Sequence, residues 1–206
     1  RKAGERAVRR IGARKAATGP VNVVFDPRVA RGIAGHLAGA INGAAVARKT
    51  SFLRDMMGKQ VAAASITVTD EPLRRRGQAS RPFDGEGVEG EKLFMVDKGV
   101  LNHWFLSTSA ARELGLVTNG RGARGGSSVS PSSTNLAIEP GERSPEDLIR
   151  SLKSGFYVTE VFGHLVPNFM TNYLWKVSRN DVDFPVLRLF DQSKIARGGH
   201  AFKQVA

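Results

Sequence analysis

The run GIAGHLAGAINGAA, Gly32 to Ala45, holds a single side chain able to bind a metal or move a proton, His36. A zinc hydrolase helix needs more. The metal takes neutral imidazoles, usually two from one helix, and a glutamate beside one of them accepts a proton from the bound water. One turn beyond His36 stand Gly39 and Ala40, which offer no donor atom. The other histidines, His103, His164 and His200, have no ligand spacing, and with no cysteine in the chain neither a thiolate site nor a disulfide can form. His36 therefore reads as a surface or packing residue.

Two carboxylates come next, Asp84 and Glu86, which flank Gly85 in RPFDGEG. A carboxylate pair on a loop can divide acid and base roles. Such residues more often cap turns, and that reading is preferred here. The serines of GGSSVSPSS lack the strained elbow that exposes a nucleophile. The neighbouring glycines lack the lysine-serine ending of a phosphate-binding loop. No catalytic residue is assigned from spacing alone.

The elements that carry these residues can be read from punctuation and pattern. The first fifteen or so residues are helical in composition and stop at ATGP, which reads as a junction. Residues 1–19 are therefore expected to be the end of a preceding domain or a linker helix, with the main domain over 20–206. VNVVF is a strand, and Asp26 followed by Pro27 starts a helix that runs to about Arg48. AAASITVTD is a second strand. The segment from Glu71 to Glu91 is a long loop of the functional or mobile kind. KLFMVDKGVLNHWFL is a hairpin turning at Asp97, Lys98 and Gly99.

Thr118 to Ser133 is poor in complexity and reads as flexible. TNLAIEPG is a strand, SPEDLIRSLKSG a helix capped by Ser144 and stopped by Gly155, and FYVTEVFG a final strand. The fold class expected is α+β: a largely antiparallel sheet domain with a glycine-rich helix packed on it and a second, short, capped helix.

On the glycine-rich helix, Gly35, Gly39 and Gly43 recur every four residues beside an apolar stripe of Ile33, Leu37 and Ile41. Each interior glycine costs a helix about 1 kcal/mol relative to alanine, so a run of them calls for close approach by something. That something is either the protein's own sheet, or a partner subunit or extended substrate lying on the glycine face.

The formal net charge of +12 raises nucleic acid as a partner. The charge is dispersed, however, and its clusters at Arg1–Lys15, Arg74–Arg76 and beyond Trp175 are not interleaved with stacking aromatics. It reads better as solvated surface or the footprint of an acidic partner. No apolar run has the roughly 18 to 20 residues that a bilayer crossing needs. The chain starts without methionine and is read as a piece of a longer protein.

Taken together, VVFDPRVARGIAGHLAGAINGAAVARKTSFL, RPFDGEG and TNLAIEPGERSPEDLIRSLKSGFYVTE closely resemble the C-terminal domain of the TldD/PmbA family, in its PmbA (TldE) branch, over roughly Ala3 to Gly163. Beyond about Gly163 the chain diverges and becomes more basic. The resemblance implies a cytoplasmic heterodimeric protease that degrades or trims unfolded peptides, with zinc held by the TldD-like subunit. In that subunit the helix carries a His-Glu-x-x-x-His motif. With Thr50 and Ser51 as anchor, the motif positions fall here on Ala34, Gly35 and Gly39, so this chain would hold no cofactor of its own.

The expected function is that of a metal-less, non-catalytic subunit paired with a zinc-bearing TldD-like homologue. Gly35, His36, Gly39, Gly43, Asp84, Gly85 and Glu86 are its candidate cleft or partner contacts. A stand-alone peptidase or hydrolase is the first alternative, and retained zinc would mark it. A nucleic-acid-associated regulator, in keeping with the family's older label as modulator of DNA gyrase, is the second, and steeply salt-dependent DNA binding would mark it.

Overall fold

The computed structural model describes residues 2–8, 11–12, 21–152 and 154–159. The elements in chain order are α1 (Lys2–Val8), β1 (Asn22–Phe25), α2 (Pro27–Ala40), α3 (Gly43–Ala47), β2 (Val68–Asp70), β3 (Leu93–Asp97), β4 (Val100–Leu101), α4 (Thr108–Glu113), β5 (Gly122–Gly125), β6 (Ser128–Pro131), β7 (Leu136–Ile138), α5 (Pro145–Ser151) and β8 (Gly155–Val158). The mixture is α+β, as the sequence suggests. The junction and linker reading of residues 1–19 and the divergent tail fall largely outside the described residues.

The chain forms two compact units. Of the described residues, the first takes those up to Ala30 and those from Arg143 on. Its strands β1 and β8 pair in parallel, with Asn22 opposite Gly155 and Phe25 opposite Val158, an exception to the antiparallel pairing expected from the hairpins. Gly155 therefore opens a strand instead of stopping the helix: a Cβ there would lie 2.5 Å from the Asn22 carbonyl oxygen. Helix α5 ends at Ser151, with Leu152 as its C-cap, and at its start Ser144 Oγ accepts a hydrogen bond from the Asp147 amide at 3.1 Å, the cap its sequence announces.

Asp26 links the two strands of this unit to the start of α2. Its Oδ1 accepts from the backbone amide and the Nε of Arg28, each at 3.0 Å, and its Oδ2 accepts from the Tyr157 hydroxyl at 3.0 Å. These hydrogen bonds, those from Arg28 foremost, lower the Asp26 pKa from 3.8 to about 2. A carboxyl depressed in the folded state stabilises above its unfolded value, and the stabilisation is lost as pH falls through the folded one. The β1–β8 pair is thus expected to gain acid sensitivity between about pH 4 and about pH 2, and Asp26→Asn to remove it. NMR titration of the Asp26 carboxyl checks this directly. A carboxyl that titrates at its ordinary value would contradict it.

Of the described residues, the second unit takes 31–142. Its sheet has the order β4-β3-β2-β7, antiparallel throughout, with Val68 of β2 opposite Val96 on one side and Ile138 on the other. The hairpin β3–β4 turns at Lys98 (φ 45°) and Gly99 (φ 81°), both left-handed as a two-residue hairpin loop requires. Ile41, Val68, Met95, Val96, Leu101 and Phe105 are fully buried and make the centre of the core.

Helix α2 does not run on to Arg48. It ends at Ala40, whose carbonyl accepts a hydrogen bond from the buried Ser51 hydroxyl at 2.5 Å. Ile41 and Asn42 leave the helix so that the backbones of Ile41 and Gly43 bond to Phe105 in strand fashion, at 2.9 Å each. Asn42 then caps α3 by accepting from the Ala44 amide at 3.0 Å, while its Nδ2 donates to the Pro131 carbonyl at 2.7 Å. The side chain has replaced backbone bonds that a continuous helix would have made.

Thr118 to Ser133 is also ordered, contrary to the flexible reading. Strands β5 and β6 form an antiparallel hairpin from Gly122 opposite Pro131 to Gly125 opposite Ser128. Its glycines make room for polar neighbours. A Cβ on Gly122 would meet Glu86 Oε2 at 2.8 Å and Asp84 Oδ2 at 2.9 Å, and one on Gly120 the Glu89 carbonyl oxygen at 2.6 Å.

Candidate functional site

The glycines of α2 divide into two groups. Gly35 and Gly39, with Gly32, are exposed, and among the described residues no atom lies within 4 Å of where their Cβ atoms would be. Gly43 is the opposite case: buried at the start of α3, with its ideal Cβ 2.6 Å from the Phe105 carbonyl oxygen and 2.7 Å from Leu106 Cδ2. Close packing on the protein itself explains Gly43 alone. Gly35 and Gly39 form an open, smooth strip on the helix, and His36 between them is half-buried.

Asp84, Gly85 and Glu86 serve a different purpose. Asp84 is buried, its Oδ1 accepting from the amides of Glu86 at 2.8 Å and Val88 at 3.0 Å and its Oδ2 from the amide of Gly122 at 2.7 Å. Three backbone donors occupy the carboxylate. Glu86 Oε2 accepts from the Thr108 amide at 2.7 Å, at the first turn of α4. Gly85 donates its amide to the Gly122 carbonyl at 2.8 Å and accepts from Arg124 Nη2 at 3.0 Å. These residues fasten the loop from Glu71 to Glu91 onto β5 and α4.

Gly43 joins this cluster through the same segment, Phe105 to Ala110, that Glu86 reaches. No hydrogen bond connects Gly35 or Gly39 to it among the described residues. The seven candidate residues thus split into an internal brace (Gly43, Asp84, Gly85, Glu86) and an outward strip (Gly35, His36, Gly39).

Two features escaped the sequence reading. Helix α4 is capped by Ser107, whose Oγ accepts from the Ala110 amide at 3.4 Å, and is followed by Gly115 at φ 68°; a serine before TSAARELG was the available signal. Arg121 is wholly buried and pairs with Asp70, its Nε donating to Oδ2 at 2.6 Å. Nothing in a glycine- and serine-rich run announces a buried ion pair. His103, half-buried, has its pKa lowered by burial first and by the Arg121 charge second, against a smaller opposite effect of Glu91.

A zinc ion does not fit the three positions to which the resemblance assigns the motif. Ala34, Gly35 and Gly39 carry no ligating atom, and among the described residues no group of three or more histidine, aspartate or glutamate side chains could hold a metal. No helix of the described residues is long and apolar enough to cross a membrane.

Comparison with known proteins gives the family. The model of the PmbA/TldA metallopeptidase C-terminal domain matches residues 18–175. The metalloprotease PmbA of Escherichia coli O157:H7 is 35% identical over 187 residues, covering 88% of this chain and 40% of that protein. Among solved structures, a candidate modulator of DNA gyrase from Bacteroides thetaiotaomicron superposes with a TM-score of 0.69 at 32% identity, covering 79% of this chain and 35% of that one. TldE of Thermococcus kodakarensis does so with a TM-score of 0.64 at 25% identity, covering 77% and 38%. The chain spans about two fifths of the length of the curated relatives it matches. A family model that spans most of the sequence, relatives named as metalloproteases and a shared fold lead to one conclusion: the chain belongs to the PmbA/TldA metallopeptidase family, as its C-terminal domain.

Proposed function

We propose that this protein is the metal-less, non-catalytic subunit of a TldD/TldE-type protease, in which a zinc-bearing homologue cleaves unfolded peptides and this chain forms part of the cleft wall. The observation that carries the reading is the open strip of α2. At the positions where the zinc-bearing branch places ligands and a general base, this helix has Ala34, Gly35 and Gly39, and the two glycines face space that no described residue fills. A helix that keeps glycines on an exposed face forgoes about 1 kcal/mol at each, which suits close approach by another backbone better than contact with water.

In this reading the brace around Asp84 and Glu86 has a positioning role. It fixes the segment Phe105–Ala110, which receives Gly43 and so sets where the strip-bearing helix ends. Zinc, the general base and the cytoplasmic setting belong to the assembly with the homologue. Peptide hydrolysis by that homologue, followed as this protein is added, tests the reading, and a rise that saturates near equimolar is the expected outcome.

A further inference from the structure

Arg81 has two side-chain nitrogens, Nε and Nη2, that are buried and have no hydrogen-bond partner. They form one edge of the guanidinium, the edge that grips a carboxylate or phosphate through two parallel N–H···O bonds. A charged fork shut away from water with its donors unused is costly, and an anion that reached it would be held strongly. Arg81 as a whole is only half-buried, so part of the residue reaches solvent while this edge does not.

The residue also closes a built turn. Its amide donates to the Pro72 carbonyl at 2.9 Å, bringing the two ends of the segment together. Inside the turn, Gly77 donates to the Arg74 carbonyl at 3.0 Å and the Ser80 hydroxyl to the same oxygen at 2.5 Å. Asn135 pins it from outside: its Nδ2 donates to the Glu71 carbonyl at 2.8 Å and its Oδ1 accepts from the Ala79 amide at 3.1 Å. Within the long loop read as functional or mobile, this turn is therefore held by its own hydrogen bonds. What it holds up are Arg74, Arg75 and Arg76, all exposed and without an ion-pair partner among the described residues, with Arg76 at φ 57°. Leu73 and Phe83, 57% and 59% exposed, add apolar surface beside the arginines.

We propose that this turn is a docking site for an acidic polypeptide segment, one carboxylate of which enters the unused edge of Arg81 while neighbouring carboxylates meet Arg74, Arg75 and Arg76. The depth of the fork favours this ligand. A carboxylate at the end of a flexible side chain is small and planar, whereas a backbone phosphodiester is tetrahedral, flanked by sugars and suited to exposed donors. Exposed leucine and phenylalanine beside arginine further suit a polypeptide with apolar residues among its acids. The inference is independent of the proposed subunit role and is tested on this protein alone.

The probe is a short fluorescent glutamate-rich peptide containing one leucine, compared with its glutamine counterpart and with single-stranded DNA of equal charge. Fluorescence anisotropy should show binding of the glutamate peptide only, and Arg81→Met should weaken it by about tenfold or more. Arg81→Lys should not restore it, since an ammonium keeps the charge without the fork. Replacing Arg74, Arg75 and Arg76 by glutamine should flatten its salt dependence. Arg81→Met should melt no lower than the parent, because it deletes an unsatisfied group, and this separates a lost contact from a lost fold. Undiminished binding by Arg81→Met, no binding of the acidic peptide to the parent, or an Arg81-dependent preference for DNA would each overturn the proposal.

Discussion

Asp70→Ala is expected to destabilise the protein by about 3 to 5 kcal/mol, a large share of the roughly 5 to 15 kcal/mol that holds a typical domain together. Both partners of the Asp70–Arg121 pair are fully excluded from solvent. Asp70 Oδ1 also accepts from the Thr134 amide and Oδ2 from the Thr134 hydroxyl, each at 2.8 Å. Arg121 completes its donors on the carbonyls of Asn119 at 2.7 Å and Glu91 at 2.6 Å. One buried network thus ties β2, the Glu71–Glu91 loop, the entry to β5 and the approach to β7. Removing the carboxylate leaves a guanidinium in the core with its charge uncompensated, which is the costly half of a buried pair.

The double variant Asp70→Leu, Arg121→Met should recover much of the loss, because two apolar side chains do not incur the desolvation of two ions. Urea denaturation of the parent, the single and the double variant measures both effects. A single-variant loss below about 1 kcal/mol, the value of an exposed ion pair, would show that the network does not bear on stability.

The second large effect has opposite signs in two measurements. Replacing Gly35 and Gly39 together by glutamine should raise thermal stability, because glutamine is the better helix former by about half a kcal/mol per site and no described residue stands in its way. The same change should sharply reduce support of the zinc-bearing homologue, by about tenfold or more, since two long side chains now project from a strip that a partner backbone must approach; a misfit of this kind is worth more than about 1.4 kcal/mol at a well-packed interface. Melting curves and peptide-hydrolysis titrations on the same preparations read the two effects. Full support with raised stability would mean that the strip faces only water. Lowered stability would mean that the glycines are packed within the protein.

How far the sequence could be read depended on the range of the forces involved. Asp26-Pro27, Ser144 and the Asp97-Lys98-Gly99 turn are local signals, satisfied by atoms a few residues away, and each appears where it was expected. The break at Asn42 is decided by Phe105 and Pro131, far along the chain, so a continuous periodic pattern gave no warning of it. The parallel pairing of β1 with β8 joins residues more than a hundred positions apart, beyond what hairpin logic can see.

The glycine- and serine-rich stretch misled for a related reason. Its small residues look flexible in isolation, yet Gly122 and Gly120 are small because carboxylates and backbone crowd them. At the candidate site, the lack of a ligating side chain at Ala34, Gly35 and Gly39 is visible in the residue types. The division of the candidates into an inner brace and an outer strip is not, because it depends on which side chains the fold brings to Phe105–Ala110 and Gly122.

The most direct test of the subunit role is hydrolysis of an unfolded peptide by the zinc-bearing TldD-like homologue while this protein is titrated in, with this protein alone as the control. A partner that shapes the cleft without cleaving predicts activity that climbs and levels off near one to one, and a silent control. A response that stays flat across the titration, or hydrolysis by this protein alone that survives its own purification, would contradict that role.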